Sequence, residues 1–271
     1  MKYAVVVSKK DPAGMNIKEQ LLLKYKFKLN ADNNYVLNDI GLFEIEEESI
    51  YADDVEKIAW ADFIVFATKH KSSAGKNSLS VHIPGNWSEA KLGGKDRRLC
   101  VAPASLMKAL FAELNKKALK LKDYAVTLEA THHGPLISKP CVFIEIGSSL
   151  KQWQDPDAGR VIADTIMAVL RREIPECETV IGIGGTHYPE NFNRIMLETK
   201  YAIGHICPKY ALNSLNEYML KQAVDKVYEK VSFAVLDWKS LGQSKARIVK
   251  LLDDIGLRFK KSKDVLKENN A

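Results

Sequence analysis

Cysteine is scarce in this chain and scattered. Its four residues, Cys100, Cys141, Cys177 and Cys207, lie far apart with no CxxC pair, which argues against a zinc ribbon or a disulfide scaffold. Long hydrophobic runs are missing too: no apolar stretch approaches the ~20 residues of a spanning helix, and the N-terminus lacks a secretory layout. A cytoplasmic protein without membrane contact is the resulting expectation. There is no HExxH helix and no GxSxG elbow, which removes the common metalloprotease arrangement and disfavours a serine nucleophile. The segment GIGGTH is not a dinucleotide fingerprint, because His187 stands where the third glycine is required. No aromatic RNA-recognition signature is present, so any nucleic-acid contact would fall mostly on phosphates.

What is present is an alternating pattern. The 271 residues are 46% hydrophobic and 27% charged, as in a soluble globular protein. Strand-like runs (YAVVV, FIVFA, LCVAP, YAVTLEA, VFIEIG, TVIGIG, FAVLDW) are separated by helix-length segments at Met15 to Lys26, Ala104 to Lys120, Asp157 to Arg172, Leu215 to Lys230 and Gln243 to Ile255. Near-continuous Val/Ile strands between amphipathic helices predict one compact α/β domain over 1–271, with a mostly parallel or mixed sheet covered by helices. The stretch from Asn30 to Tyr51 reads as a hairpin or loop insertion.

Charge is unevenly spread around a net of +6. An acidic stretch around Glu44 to Glu56 precedes basic clusters beginning at Lys69 (KHKSSAGK), Lys91 (KLGGKDRR) and Asn115 (NKKALKLK), with RFKKSK near the C-terminus. Most such runs are solvated faces. Four that converged on one face would instead mark a polyanion binder.

All six histidines fall in or just after strand-like segments: His70, His82, His132, His133, His187 and His205. Sheets of this kind bind ligands at the carboxyl ends of their strands. The stretch EATHHGP raises the sharpest question, since adjacent residues on a strand face opposite ways. Glu145, flanked by Phe143, Ile144 and Ile146, is a carboxylate in a core-like strand, and burial there requires a partner or a metal. Singly, His82 reads as a packed residue, and the GIGGTH turn reads either as purely structural or as exposed amides for a phosphate, carboxylate or developing oxyanion. Together these residues serve either a zinc site or a metal-free general base oriented by a carboxylate. Both imply hydrolysis.

The segments SKKDPAGMNI, TKHKSSAG, LSVHIPGNW, EATHHGP, FIEIGSS and GIGGTHYPENF, in order over roughly the first 210 residues, resemble the D-aminoacyl-tRNA deacylases of the archaeal and plant type. The resemblance implies an α/β fold similar to phosphorylases and peptidyl-tRNA hydrolases. It also implies a Zn²⁺-dependent hydrolase that removes D-amino acids from the 3′ end of tRNA. It points to the six histidines with Glu129 and Glu145. Within that set, His133 and His187 are the expected metal ligands, with Glu145, His82 and His205 as further candidates. His132, Glu129 and His70 are the expected catalytic groups. The preference for His133 over His132 rests on alternation, which would place His133 on the strand face of Glu129. Substrate contacts are expected from the amides of Gly184 and Gly185 at an oxyanion, from Ser148, and from Lys95, Arg97 and Arg98 at phosphates. A monomer without a protein partner is expected. Two other readings stay open: a zinc hydrolase or phosphorylase of a small anionic metabolite, and a non-catalytic RNA-binding protein. Metal content and salt-dependent tRNA retention distinguish them.

Overall fold

A computed structural model describes residues 1–72 and 75–268; residues 73 and 74 of the TKHKSSAG segment lie outside the described part. Twelve strands among the described residues form two sheets. The first contains β1 (Tyr3–Ser8), β2 (Lys28–Leu29), β3 (Tyr35–Leu37), β4 (Ile40–Ile45), β5 (Phe63–Lys71), β6 (Ser78–His82), β7 (Ala125–Leu128) and β8 (Cys141–Ser148), in the order β2-β3-β4-β1-β5-β8-β6-β7. The second, β10 (Tyr201–Cys207), β9 (Glu178–Ile183), β11 (Val231–Leu236) and β12 (Phe259–Lys261), is parallel throughout. The helices are α1 (Pro12–Lys24), α2 (Ala104–Ala118), α3 (Leu150–Trp153), α4 (Pro156–Leu170), α5 (Glu190–Glu198), α6 (Glu217–Asp225), α7 (Lys245–Asp254) and α8 (Ser262–Lys267). None is long and apolar enough to cross a membrane.

The mixed α/β architecture agrees with the strand–helix alternation, but two readings change. LCVAP is not a strand: Leu99 and Ala102 make only isolated bridges, to Gly85 and Val227. Its amides and carbonyls pair with several different segments, because this buried run crosses between the sheets rather than lying in one. The Asn30–Tyr51 stretch does contain an antiparallel pair, β3 with β4, yet β4 continues as a parallel neighbour of β1 and so belongs to the sheet.

Both faces of the first sheet are covered. On β1, Val5 and Val7 join the core shared with the helices and the second sheet, while Ala4 and Val6 join a smaller core on the other face. That smaller core sets the position of the site. On β5 it takes Ile64 and Phe66, and on β8 Cys141 and Phe143. Continuing along the same faces, period-two alternation brings Thr68 and His70 on β5 and Glu145 on β8. The register pairs Phe66 with Phe143 and Thr68 with Glu145. Antiparallel β6 sets Ser80 opposite Glu145 and His82 opposite Phe143. One face thus passes from an apolar core to imidazoles and carboxylates where the strands end.

Candidate active site

Five of the six histidines meet at this edge. His70 and His82 come from strands, His187 from the turn after β9, and His132 and His133 from the segment after β7. Four of them, His70, His132, His133 and His187, line a cavity of about 580 Å³ together with Glu145 and Lys69, and His82 is buried behind it. The ring centroid of His82 lies 4.3 Å from His132 and 4.9 Å from His133, and the adjacent pair is itself 4.3 Å apart.

The adjacent pair converges because the strand stops first. β7 ends at Leu128, and His133 adopts a left-handed backbone with φ 46°, a conformation that costs a non-glycine residue about 1 kcal/mol or more. The alternation argument therefore does not apply. Glu129 faces His132 (Nε2 to Oε2, 3.5 Å) and His187 (Nε2 to Oε2, 2.9 Å), not His133. Gly134 then packs so closely on residues 93 and 94 that a Cβ there would lie 2.2 Å from the Gly94 nitrogen and 2.5 Å from the Ile50 oxygen. That contact locks the turn against the basic loop of residues 91–98.

Among the described residues, three groups of donor atoms are compact enough to hold a cation: His82, His132 and His133; Glu129, His132 and His187; and His70, Glu129 and Glu145. The first fits zinc best. The His132 and His133 Nδ1 atoms face the carbonyls of Ala130 (2.9 Å) and Gly134 (2.5 Å). A carbonyl only accepts, so each Nδ1 carries the proton and each Nε2 presents its lone pair. His82 is fully buried, and neither of its ring nitrogens has a hydrogen-bond partner. Its Nε2 has Glu145 Oε1 at 3.6 Å, and a buried imidazole without a hydrogen bond thus stands beside two with Nδ1 protonated, a donor set of the kind that holds zinc. Among the described residues no such group contains both His133 and His187, the two expected on one ion, while His132 and His133 share one.

The carboxylates are held ionised. Burial opposes the Glu129 charge, but the His187 hydrogen bond and the neighbouring imidazoles outweigh it and bring its pKa to about 2. Glu145 is buried and accepts a hydrogen bond from Thr68 Oγ1 at 2.8 Å. Its Oε2 lies 3.4 Å from His70 Nδ1, and its Oε1 lies 3.6 Å from His82 Nε2. Burial is again the largest influence, but these two histidines overcome it and keep the carboxyl below its usual range. His70 and His82 respond in the opposite sense: despite burial, the two carboxylates raise them. Burial and the neighbouring His82 depress His133 to about 4, and burial with His133 and His82 lowers His132.

Several expected residues lie elsewhere. His205 is fully buried away from the cluster, its Nε2 within 3.0 Å of the Cys100 oxygen and 3.1 Å of the Lys226 oxygen, with Thr131 Oγ1 at its Nδ1. Both nitrogens face oxygens, and among the described residues no compact donor group includes His205. The amides of Gly184 and Gly185 donate to the Cys207 oxygen (2.8 Å) and to Ser240 Oγ (2.6 Å), and so do not form an oxyanion hole. Ser148 is buried and donates to the Lys76 oxygen rather than facing the cavity. Lys95, Arg97 and Arg98 are exposed on the loop whose Leu92 lines the cavity. The cluster from Asn115 to Lys122 runs from the end of α2 and contributes nothing to the lining.

Sequence reasoning passed over two tyrosines. Tyr188 places its hydroxyl 2.7 Å from His70 Nε2, and Tyr210 places its own 3.2 Å from His187 Nδ1. Tyr188 sits beside a histidine in GIGGTHYPENF and was within reach of the strand-end rule. Tyr210 lies beyond the end of β10, in a short 3-10 turn that no pattern marks.

Buried carboxylates orienting histidines at the carboxyl ends of α/β strands, beside a cavity with basic flanks, define a hydrolase-type site. The particular family follows from comparison with known proteins. The family model described as D-aminoacyl-tRNA deacylase matches residues 58–260. A "D-aminoacyl-tRNA deacylase" of Methanosarcina mazei is 37% identical over 282 residues, covering 97% of this chain and 93% of its own length. One of Pyrococcus furiosus is 37% identical over 268 residues, covering 94% and 98%. A crystal structure of a conserved protein of unknown function superposes with a TM-score of 0.92 at 33% identity, covering 98% of this chain and 97% of the other. The chain belongs to the D-aminoacyl-tRNA deacylase family and is a hydrolase.

Proposed function

We propose that this enzyme hydrolyses the ester between a D-amino acid and the 3′-terminal ribose of tRNA, with Zn²⁺ held by His82, His132 and His133. The observation that carries the metal reading is His82, fully buried with neither ring nitrogen hydrogen-bonded, among imidazoles whose tautomers are already set. When bound, such an ion supplies Lewis acidity at the ester carbonyl and makes water acidic enough to react near neutral pH.

The proton transfers fall to the chain's own residues. His187 donates from Nε2 to Glu129, which leaves Nδ1 as its basic atom, facing the Tyr210 hydroxyl. As water attacks the carbonyl, Nδ1 takes its proton, directly or through that hydroxyl. As the C–O bond breaks, the ribose oxygen receives the proton back. Glu129, ionised throughout the neutral range, orients the ring and stabilises the imidazolium that forms in between. His70 bridges the carboxylates: its Nδ1 lies 3.1 Å from Glu129 and 3.4 Å from Glu145. Phosphates of the tRNA would meet Lys71 and the exposed Lys95, Arg97 and Arg98 at the rim.

The deciding experiment is release of D-tyrosine from D-tyrosyl-tRNA by zinc-loaded protein, compared with the L-isomer. Selective D-release that disappears on chelation and returns with zinc is the expected result. Equal rates on both isomers would overturn the stereochemical reading. Full activity after complete zinc removal would leave the His187–Glu129 pair as a metal-free general base.

A further inference from the structure

The basic stretch RFKKSK of residues 258–263 is not part of the histidine cavity. It forms β12 and the start of α8. With the loop after β11 it lines a second cavity of about 420 Å³ at the carboxyl edge of the four-stranded sheet. Lys239, Lys263 and Lys267 line this cavity, are exposed, and have no carboxylate partner among the described residues. Arg194 lines it as well but is paired with Glu198. Trp238, partly buried in the wall, has the Lys245 and Lys261 ammonium groups 5.4 and 4.5 Å from its ring centroid. Ammoniums held against an aromatic face lose part of their freedom before any ligand arrives. Among the described residues, Asp237 is the single carboxylate in the lining.

The position of this face gives it meaning. The Asp237 amide donates to the Ile183 oxygen at 2.9 Å, and Ser240 Oγ accepts from the Gly185 amide at 2.6 Å. The loop carrying Trp238 and Lys239 is therefore fastened to the turn that presents His187. Lys209, also exposed, donates its amide to the Gly185 oxygen beside Tyr210. Exposed Lys209 and Lys239 thus stand on segments hydrogen-bonded, directly or through Ser240, to the turn that presents His187.

We infer that this face, with Lys239, Lys263 and Lys267 around Trp238, binds the sugar–phosphate backbone of the tRNA acceptor arm while the aminoacyl end occupies the histidine cavity. The inference rests on the tRNA reading of that cavity. Unpaired cations spread over a concave surface fit a run of phosphates better than one small anion, which would need converging buried donors. A membrane surface is disfavoured because Leu266, the aliphatic side chain of the lining, is buried rather than presented.

The test is the affinity of zinc-loaded protein for uncharged tRNA between about 50 and 200 mM salt, for wild type and for the triple variant Lys239→Ala, Lys263→Ala, Lys267→Ala. Each lost phosphate contact removes about 0.7–0.9 from the slope of log K against log salt, so the slope should become shallower by about 2 to 3 and the affinity fall about tenfold or more. In turnover, KM for D-tyrosyl-tRNA should rise, with the loss confined to the long substrate when D-tyrosyl-adenosine is assayed in parallel. An unchanged slope and KM would overturn the inference, as would an equal loss on the short ester. Wild-type protein that fails to bind tRNA would overturn it together with the tRNA reading. The altered slope without any ester cleavage by the wild type would uphold this face and reject the catalytic reading.

Discussion

Replacing His82 with leucine sets the packing role of that residue against its role as a ligand. Its two ring nitrogens are buried without a hydrogen bond, and each such atom costs about 1–3 kcal/mol. Leucine removes both. Against this, Glu145 loses a neighbour at 3.6 Å, but it keeps the Thr68 hydrogen bond at 2.8 Å and His70 at 3.4 Å, a loss on the order of 1–2 kcal/mol. In a chelator, the variant should therefore lie within about 2 kcal/mol of wild type, where disrupting a well-satisfied buried ring would cost about 3–5. Zinc should reverse the comparison. An ion at about a thousand times its Kd stabilises the protein that binds it by about 4 kcal/mol, and a site stripped of one of three ligands keeps little of that. Urea denaturation with chelator and with zinc, alongside zinc content per chain, reads both quantities. One zinc per variant chain with the full stabilisation would show that His82 is not a ligand. A large loss of stability in chelator would show that its nitrogens are satisfied after all.

Glu129→Gln should lower kcat by about 10²–10⁴-fold, seen as D-tyrosine release. It should also flatten the acid limb of stability measured in chelator: because the folded pKa is about 2 against an ordinary 4.5, the wild-type contribution is complete above about 4.5 and is lost as pH falls toward about 2. Gly134→Ala forces a methyl into the backbone of residues 93 and 94 and should destabilise by about 1–3 kcal/mol, with zinc content falling because His133 moves; full retention of zinc would show that the turn yields elsewhere. His205→Leu leaves the Cys100 and Lys226 carbonyls without their donor and should cost about 2–4 kcal/mol in a denaturation curve while zinc stoichiometry stays at the wild-type level.

The α/β alternation was legible because fully buried parallel strands are written as unbroken Val/Ile runs, as in YAVVV and VFIEIG. LCVAP carries the same composition yet is a buried crossing. Composition reports burial, and burial alone does not specify a pairing partner. The division into two sheets was not legible for the same reason: both contribute to one apolar core, so no change in local pattern marks where the hydrogen-bonded ladder is interrupted. RFKKSK read only as charge. Its short strand forms because β11 offers an edge to pair with, a tertiary cause that local sequence does not contain.

The site was legible as a set and not as an arrangement. Histidines at strand ends, and a carboxylate between Ile144 and Ile146, stand out because burying such groups singly is unfavourable. His205 satisfies the same criteria and still lies outside the cluster, its Nε2 facing a pair of backbone carbonyls that are invisible in sequence. The roles of the adjacent histidines depend on another feature with no local signature. Alternation separates neighbouring side chains only while a strand lasts, and this one ends four residues before His132. The left-handed residue at His133 then turns its ring back toward its neighbour, and the close approach of Gly134 to residues 93 and 94 holds it there. Two adjacent imidazoles can therefore face one cavity, each with its Nδ1 on a backbone carbonyl. A regular strand would have sent one of them into the opposite core.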